Sequence, residues 1–92
     1  MHSPVREPAA KEEGRARTLR DLAPGERGRV RALRGRIALR KRLLEMGFVP
    51  GAVVEKLKLA PLADPAEYRV KGCHLSLRNS EARDVLLVEE GI

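Results

Sequence analysis

The sequence predicts a mainly β domain: a small closed barrel with one inserted α-helix and a short helical turn before the last strand. With 92 residues, the chain is long enough for one small domain. Several short runs alternate apolar and polar side chains, which is the pattern of half-buried strands. Residues 36–46 contain neither glycine nor proline and consist of good helix formers. Closely spaced short strands favour a closed barrel, because closure removes exposed strand edges.

The first elements are a tail, a short turn and a strand. Residues 1–17 carry two prolines and mixed charges without periodic apolar positions, a composition typical of a disordered tail. We therefore expect the folded domain to span residues 18–92. Leu19 and Leu22 predict one apolar face of a short turn that Pro24-Gly25 closes. The run "GRVRALR" then alternates and predicts the first strand, with Val30 and Ala32 on one face.

The predicted helix over residues 36–46 has two apolar lines. At 100° per residue, one line consists of Leu39, Leu43 and Met46. The second line consists of Ile37 and Leu44, with Arg36 and Arg40 between the two lines. Together they are wider than packing on one side requires. Either the rest of the domain covers Leu39 and Leu43, or part of the apolar surface is exposed for a partner.

Turn signals separate the remaining predicted strands. Gly47 suits the left-handed end of the helix, and Pro50-Gly51 suits a type II turn. Residues 52–60 alternate, with Val53, Leu57 and Leu59 on one face and Val54, Lys56 and Lys58 on the other. After the loop "PLADPA", the runs "EYRVKG" and "HLSLR" predict a hairpin joined through Gly72 and Cys73. In "NSEARD", Asn79 or Ser80 is the predicted N-cap of a short helix, and "VLLVEE" predicts the closing strand.

The positive charge is concentrated in one segment. The net charge is +6, and residues 28–46 hold seven basic residues against Glu45 alone. A positive field of this kind attracts an acidic protein, a nucleic acid or an anionic membrane surface. A solvated arginine-rich face without a partner is the alternative interpretation.

The sequence does not favour an enzyme or a cofactor site. Its two histidines are His2 in the predicted tail and His74 in a predicted strand, and nothing indicates a nucleophile with a base and an orienting acid. Cys73 and His74 are weak candidates for metal ligands, because neighbours on a strand point to opposite faces. No zinc-binding spacing is present. We therefore predict no enzyme, no cofactor and no specific metal site.

The cellular compartment follows from cysteine and apolar content. One cysteine excludes an internal disulfide and fits a reducing compartment. No apolar run is long enough to span a bilayer, and the N-terminus lacks the apolar core of a secretory signal. These features predict a cytoplasmic protein without direct membrane insertion.

A nucleic-acid-binding barrel is the alternative function. The basic segment favours it, but base stacking needs aromatic side chains, and the sequence has only Phe48 and Tyr68. Binding through the phosphate backbone alone stays open at this point. The residues themselves therefore indicate a binding module of unspecified partner.

Three blocks in register resemble the ferrous iron transport protein A (FeoA) family. They are "RLLEMGFVPG", "APLADP" and "LSLRNSEA", and the similarity extends over residues 18–90. The resemblance implies an SH3-like barrel with a helix inserted after the first strand. It also implies a small cytosolic accessory or regulatory protein without catalytic residues, peripheral at the inner membrane through its partner. That partner is FeoB, a membrane GTPase that imports Fe²⁺.

On this resemblance we expect docking on the cytoplasmic part of a FeoB-type transporter rather than on nucleic acid. The expected partner-binding residues lie on the helix and in the "APLADP" loop: Arg36, Leu39, Arg40, Leu43, Leu62 and Asp64. For Asp64 the alternative is a side chain that caps a turn. An apolar barrel edge or helix line is also compatible with a homo-oligomer. Ala63 departs from the glycine usual in the family, which would cause strain if the position required positive φ.

Overall fold

A computed structural model describes residues 17–58 and 62–88 of the chain. The predicted tail, except Arg17, therefore lies outside the described residues, as do Leu59 and the end of the closing strand. The elements are a 3₁₀ turn (Leu19–Asp21), strand β1 (Arg27–Leu33), helix α1 (Ile37–Met46), strands β2 (Val53–Lys56), β3 (Ala66–Val70) and β4 (Cys73–Leu77), helix α2 (Asn79–Ala82) and strand β5 (Val85–Leu87). This order confirms the mainly β class, the inserted helix and the helical turn before the last strand.

The five strands form one antiparallel sheet in the order β4-β3-β2-β1-β5. β1 is shared between two partners. Its first half pairs with β2, with Arg29 opposite Val53, and its second half pairs with β5, with Leu33 opposite Val85. The register shifts between Val30 and Ala32. A bulge of this kind bends a strand, so β1 can turn from one neighbour to the other.

Aliphatic side chains from every strand build a single core. It also includes the one phenylalanine and the one tyrosine, both without exposed surface. The cluster consists of Leu19, Leu22, Val30, Leu43, Phe48, Ala52, Val54, Ala66, Tyr68, Val70, Leu77, Ala82, Val85 and Leu87. Burial raises the pKa of Tyr68 to about 12, and the negative charge of Asp64 adds to the effect. Tyr68 therefore stays neutral and belongs to the core.

The helix end and the following turn agree with the sequence. Gly47 is left-handed, with φ of 108°, and its N–H donates to the carbonyl groups of Leu43 and Leu44. Gly51 also has positive φ, 93°, as a type II turn after Pro50 requires. Between these two glycines Phe48 enters the core. Both predictions are confirmed.

The face of β2 that points to the core is the one carrying Val54. Val54 is fully buried, whereas Val53 and Leu57 are half-buried. The register explains the choice, since Val54 lies opposite the buried Val70. β2 ends at Lys56, so the structure makes the strand shorter than the predicted 52–60.

Two local predictions were wrong by one residue. The β3–β4 hairpin turns at Lys71-Gly72, not Gly72-Cys73, because Cys73 already pairs with Val70. Lys71 and Gly72 both have positive φ, the conformation of a two-residue type I′ turn. The N-cap of α2 is Arg78, not Asn79 or Ser80, since Arg78 has extended backbone angles and its N–H donates to Glu81 Oε1 at 3.0 Å. Neither Lys71 nor Arg78 has a side chain that favours its position.

Candidate functional site

Helix α1 packs one of its two apolar lines on the domain and leaves the other exposed. Leu43 has no exposed surface, and Leu39 and Met46 are half-buried against the core. Ile37 and Leu44 are exposed on the outer side. The domain therefore covers the line of Leu39, Leu43 and Met46 and leaves the line of Ile37 and Leu44 exposed, and a partner for the exposed line stays a prediction. Leu43 is a core residue, so we do not include it in a docking surface.

A groove of about 630 Å³ lies between α1 and α2. We call it the α1–α2 groove; its walls consist of Gly35, Arg36, Ala38, Leu39, Arg42, Ser80, Glu81 and Asp84. Two of the six predicted partner-binding residues, Arg36 and Leu39, therefore line it. Ala38 and Leu39 supply its aliphatic surface, and the other side chains are polar or charged.

Ion pairs hold the two walls of the α1–α2 groove together. Arg42 of α1 binds the carboxylate of Glu81 of α2. Next to it, Arg34 Nε donates to Asp84 Oδ1 at 3.3 Å, and Arg34 Nη2 donates to the Arg83 carbonyl at 3.0 Å. Two of the groove's carboxylates are thus engaged by arginines, whereas the Arg36 guanidinium has no ion pair within residues 17–58 and 62–88. Among the described residues, Arg36 therefore lies without a carboxylate partner beside the aliphatic surface of the groove.

Glu81 has a second role at the start of α2. Burial alone would raise its pKa, but the hydrogen bond from the Arg78 N–H and the nearby Arg42 guanidinium outweigh burial, so the pKa lies below its ordinary value. Glu81 is therefore ionised at neutral pH. The negative charge of Glu81 stabilises the N-terminus of α2, and it also stabilises the contact of α2 with α1 through Arg42.

A second depression, of about 280 Å³, surrounds the exposed Leu62. We call it the Leu62 pocket; its lining consists of Pro24, Lys56, Leu57, Lys58, Leu62, Ala63 and Ala66. Lys56 Nζ donates to the Leu22 carbonyl at 3.1 Å, which fixes that side chain along the pocket. Like the α1–α2 groove, the pocket combines aliphatic side chains with cations.

Asp64 joins the loop of the Leu62 pocket to α2. Its Oδ1 accepts a hydrogen bond of 3.0 Å from the Asn79 N–H, in the first turn of α2. Asp64 thus caps the start of α2, 15 positions away, whereas the sequence suggested a cap of its own turn. Ala63 does not have positive φ, because Lys71 is the one non-glycine residue with that conformation in the described part of the chain. The departure from glycine at position 63 therefore causes no strain of that kind.

The remaining candidates are exposed and lie apart from both depressions. Arg40 lies on the outer side of α1. Cys73 is a free, exposed cysteine, and the adjacent His74 contacts Glu67 Oε1 through Nε2 at 2.8 Å. In the described ranges, no group of three or more histidine, cysteine, aspartate or glutamate side chains could hold a metal ion. None of the helices in these ranges combines the length and the apolar composition of a membrane span.

Sequence reasoning missed most of the lining of both depressions. Gly35, Arg42, Glu81 and Asp84 were not candidates. The signal was weak because α1 and α2 lie far apart in the sequence; Arg42 and Glu81 are 39 positions apart. In the sequence, Lys56 and Lys58 were recognisable only as polar residues on one face of a predicted strand, not as residues that line a pocket.

The fold defines a small SH3-like β domain with an inserted helix. The family model of the FeoA domain matches residues 17–89. The chain therefore belongs to the FeoA domain family, as the resemblance of the three sequence blocks implied.

Solved structures and one curated relative agree with this assignment. A FeoA protein from Chlorobium tepidum is 33% identical, with a TM-score of 0.72 over 82% of this chain and 71% of that chain. FeoA from Stenotrophomonas maltophilia complexed with zinc, a prokaryotic SH3 domain protein, is 31% identical, with a TM-score of 0.66 over 79% of this chain and 91% of that chain.

The curated relative is an Fe(2+) transport protein A/Fe(2+) transporter FeoB fusion protein from Porphyromonas gingivalis. It is 39% identical over 67 residues, which cover 73% of this chain. The match spans 8% of the length of the fusion protein. The similarity therefore concerns the FeoA-like part of a much longer chain.

Proposed function

We propose that this protein is an accessory or regulatory protein of ferrous iron uptake that docks on the cytoplasmic part of a FeoB-type GTPase transporter. The fusion protein of Porphyromonas gingivalis is the observation that carries the proposal, because it contains an FeoA-like segment and FeoB in one chain. Fusion keeps two domains at high effective concentration, which is useful when they act on each other. In this proposal the protein works in the cytoplasm, peripherally at the inner membrane through its partner.

The α1–α2 groove and the Leu62 pocket are the proposed contact surfaces. Each places aliphatic side chains beside cations: Leu39 beside Arg36 in the groove, and Leu62 beside Lys58 in the pocket. Such surfaces fit a partner segment with an apolar side chain next to a carboxylate. Arg40, the remaining predicted contact on α1, is exposed but does not line the groove, so it would contact the partner only beyond the border of the groove.

The Asp64–Asn79 hydrogen bond connects these two surfaces mechanically. It ties the loop that carries Leu62 to the first residue of α2, the helix that forms one wall of the groove. A partner that displaces the loop would therefore also act on α2. In this proposal Asp64 positions the docking surface rather than touching the partner.

The proposal is tested by titration of the full chain with the purified cytoplasmic part of the FeoB transporter from the same genome. We expect Leu39→Asp and Leu62→Asp each to weaken binding by about tenfold or more, because a buried charge would replace an apolar contact. Arg36→Glu, at an exposed position without a described ion pair, tests the groove without perturbing the core.

Leu44→Asp is the matched control, since Leu44 is exposed on α1 but does not line the groove. Circular dichroism checks that every variant is folded. If Leu39→Asp, Leu62→Asp and Arg36→Glu all bind as tightly as the unmodified chain, the assigned surfaces are wrong. If the unmodified chain does not bind, the docking proposal fails.

Nucleic acid is not favoured as the partner. Phe48 and Tyr68 are both fully buried, so neither offers a face for stacking bases. What remains is a phosphate-backbone interaction that would weaken steeply between low and moderate salt. The expected result is no binding of RNA or DNA at moderate salt, measured by fluorescence anisotropy.

Direct metal sensing through Cys73 and His74 is not favoured by the positions of the two side chains. The two residues are consecutive on β4 and therefore point to opposite faces, and His74 is already bonded to Glu67. Calorimetric titration of the unmodified chain and of Cys73→Ser with Fe²⁺ shows whether Cys73 contributes to metal binding. Equal weak binding by both forms would exclude Cys73 as a ligand.

A further inference from the structure

The outer side of α1 carries a line of aliphatic and basic side chains that the docking proposal does not use. Ile37 is 74% exposed and Leu44 is 44% exposed, although both are large apolar residues. They are seven positions apart and therefore lie on the same side of the helix, two turns from each other. Lys41 lies between them along the helix axis, and Leu43, about 100° around the helix from Leu44, faces the core. We call this line and the adjacent Arg40 the outer face of α1.

The cations of the outer face are not neutralised by the described part of the domain. Neither Arg40 nor Lys41 has an ion pair or a side-chain hydrogen bond with another described residue. Arg42, by contrast, is paired with Glu81 on the groove side. Glu45 is the one acidic residue of α1. The outer face thus keeps a net positive charge around two exposed aliphatic side chains.

This combination fits a lipid surface better than the other anionic partners. A helix that lies flat on a bilayer inserts aliphatic side chains at the headgroup boundary, while lysine and arginine contact phosphate groups. A nucleic acid would leave Ile37 and Leu44 unused and would find no exposed aromatic residue among those described. Ile37 and Leu44 do not line the α1–α2 groove, so an acidic protein segment bound in that groove would leave both exposed.

We propose that the outer face of α1 binds the surface of an anionic phospholipid bilayer. Attraction between Arg40, Lys41 and lipid phosphate provides most of the affinity, and Ile37 and Leu44 add a shallow apolar contact. The contact is reversible, because two cations and two aliphatic side chains give a small interaction that salt screens. The binding requires no protein partner, and it leaves the α1–α2 groove open to the cytoplasm.

The test is sedimentation of the full chain with phospholipid vesicles at low and moderate salt. We expect binding to vesicles of phosphatidylcholine mixed with phosphatidylglycerol and none to pure phosphatidylcholine. The double variant Arg40→Glu/Lys41→Glu should lower the partition coefficient by more than tenfold, since each cation near an anionic surface contributes a factor of about five. Ile37→Ser/Leu44→Ser, which leaves the charge unchanged, should lower it severalfold.

Arg20→Glu/Lys71→Glu is the control, because it removes the same charge from exposed positions outside α1. The control should keep most of the binding. An equal loss in the control would show attraction by net charge alone and would overturn the proposal, as would absence of binding to anionic vesicles at low salt. Binding of RNA or of an acidic protein by the outer face, without vesicle binding, would equally overturn it. Because the vesicles contain no protein, none of these results bears on docking to FeoB.

Discussion

Gly35 lies between β1 and α1, and its missing side chain leaves room for the carboxylate of Asp84. A Cβ at this position would lie 2.8 Å from Asp84 Oδ2, closer than van der Waals contact permits. The same carboxylate accepts the hydrogen bond from Arg34 that holds one end of the α1–α2 groove. Gly35 also has a φ of 99°, which L side chains rarely adopt.

Gly35→Ala should therefore destabilise the domain more than Gly51→Ala. Both positions have positive φ, which costs about 1–2 kcal/mol for alanine, but a Cβ at Gly51 would meet no atom within 4 Å. Gly35→Ala should add the displacement of Asp84 to that cost. Urea unfolding of both variants measures the difference; equal losses would show that Asp84 moves away freely.

The neighbours Leu43 and Leu44 separate the core side of α1 from its outer face. Leu43→Ala should lower the unfolding free energy by about 2–5 kcal/mol, because it leaves a cavity in the core. Leu44→Ala should change it by less than about 1 kcal/mol, since the side chain is exposed. Thermal or urea unfolding of the two variants gives the comparison. Similar effects at both positions would contradict the orientation of α1.

At the scale of elements, α2 is stabilised by residues that come from outside the helix. Asp64 accepts the Asn79 N–H, and Arg42 of α1 binds Glu81. A four-residue helix cannot be stable on its own, because forming its first turn is unfavourable. These two contacts therefore add to the burial of Ala82 in the core and help to hold α2 as one wall of the α1–α2 groove.

Asp64→Ala should destabilise the domain by about 1 kcal/mol through loss of the capping acceptor. Asp64→Asn keeps an oxygen acceptor and should retain most of the stability. Amide hydrogen exchange at Asn79 should speed up in Asp64→Ala and stay slow in Asp64→Asn. Equal exchange rates of the Asn79 amide in the two variants would contradict the structural role of Asp64.

Glu81 should make the stability of α2 depend on pH. Its pKa is lower in the folded state than in the unfolded state, so the stabilisation is present above the unfolded pKa and disappears as the pH falls through the folded pKa. Glu81→Gln should cost about 0.5 kcal/mol at neutral pH, as expected for a partly exposed ion pair, and nothing in strong acid. Unfolding curves of the unmodified chain and of Glu81→Gln measure this difference in stability at each pH. A difference that does not change with pH would contradict the role of the Glu81 charge.

Elements with a strong local signal were predictable from the sequence, and contacts between distant elements were not. Helix α1 and its end at Gly47 follow from helix-forming composition and a glycine at the right position. The turn at Lys71 and the N-cap at Arg78 were missed by one residue, because tertiary pairing imposes a conformation that neither side chain favours.

The candidate surface was predictable only in part for the same reason. Arg36, Leu39 and Leu62 were identified, because basic and aliphatic residues on a helix or in a loop are visible in a sequence. The opposite wall of the groove comes from α2, and nothing local connects Arg42 with Glu81 or Arg34 with Asp84. Leu43 was included as a docking residue because periodicity does not indicate which apolar line faces the core.

At the scale of the whole molecule, helix α1 contributes to two surfaces of different shape, the α1–α2 groove and the outer face. The α1–α2 groove is a depression with fixed ion pairs, whereas the outer face of α1 is a convex line of exposed residues. A domain that docks through the groove while its outer face touches the bilayer would be oriented relative to a membrane partner. The variant at Leu39 should weaken only the contact with FeoB, and the variant at Lys41 should weaken only the contact with the bilayer.

We propose that docking on FeoB uses the α1–α2 groove and the Leu62 pocket. The most direct test follows the amide signals of the ¹⁵N-labelled chain during titration with the cytoplasmic part of FeoB. We predict that the largest changes cluster at residues 35–39, 62–64 and 80–84, with small changes in the β3–β4 hairpin. Changes centred on that hairpin, or no changes at saturating FeoB, would contradict the account.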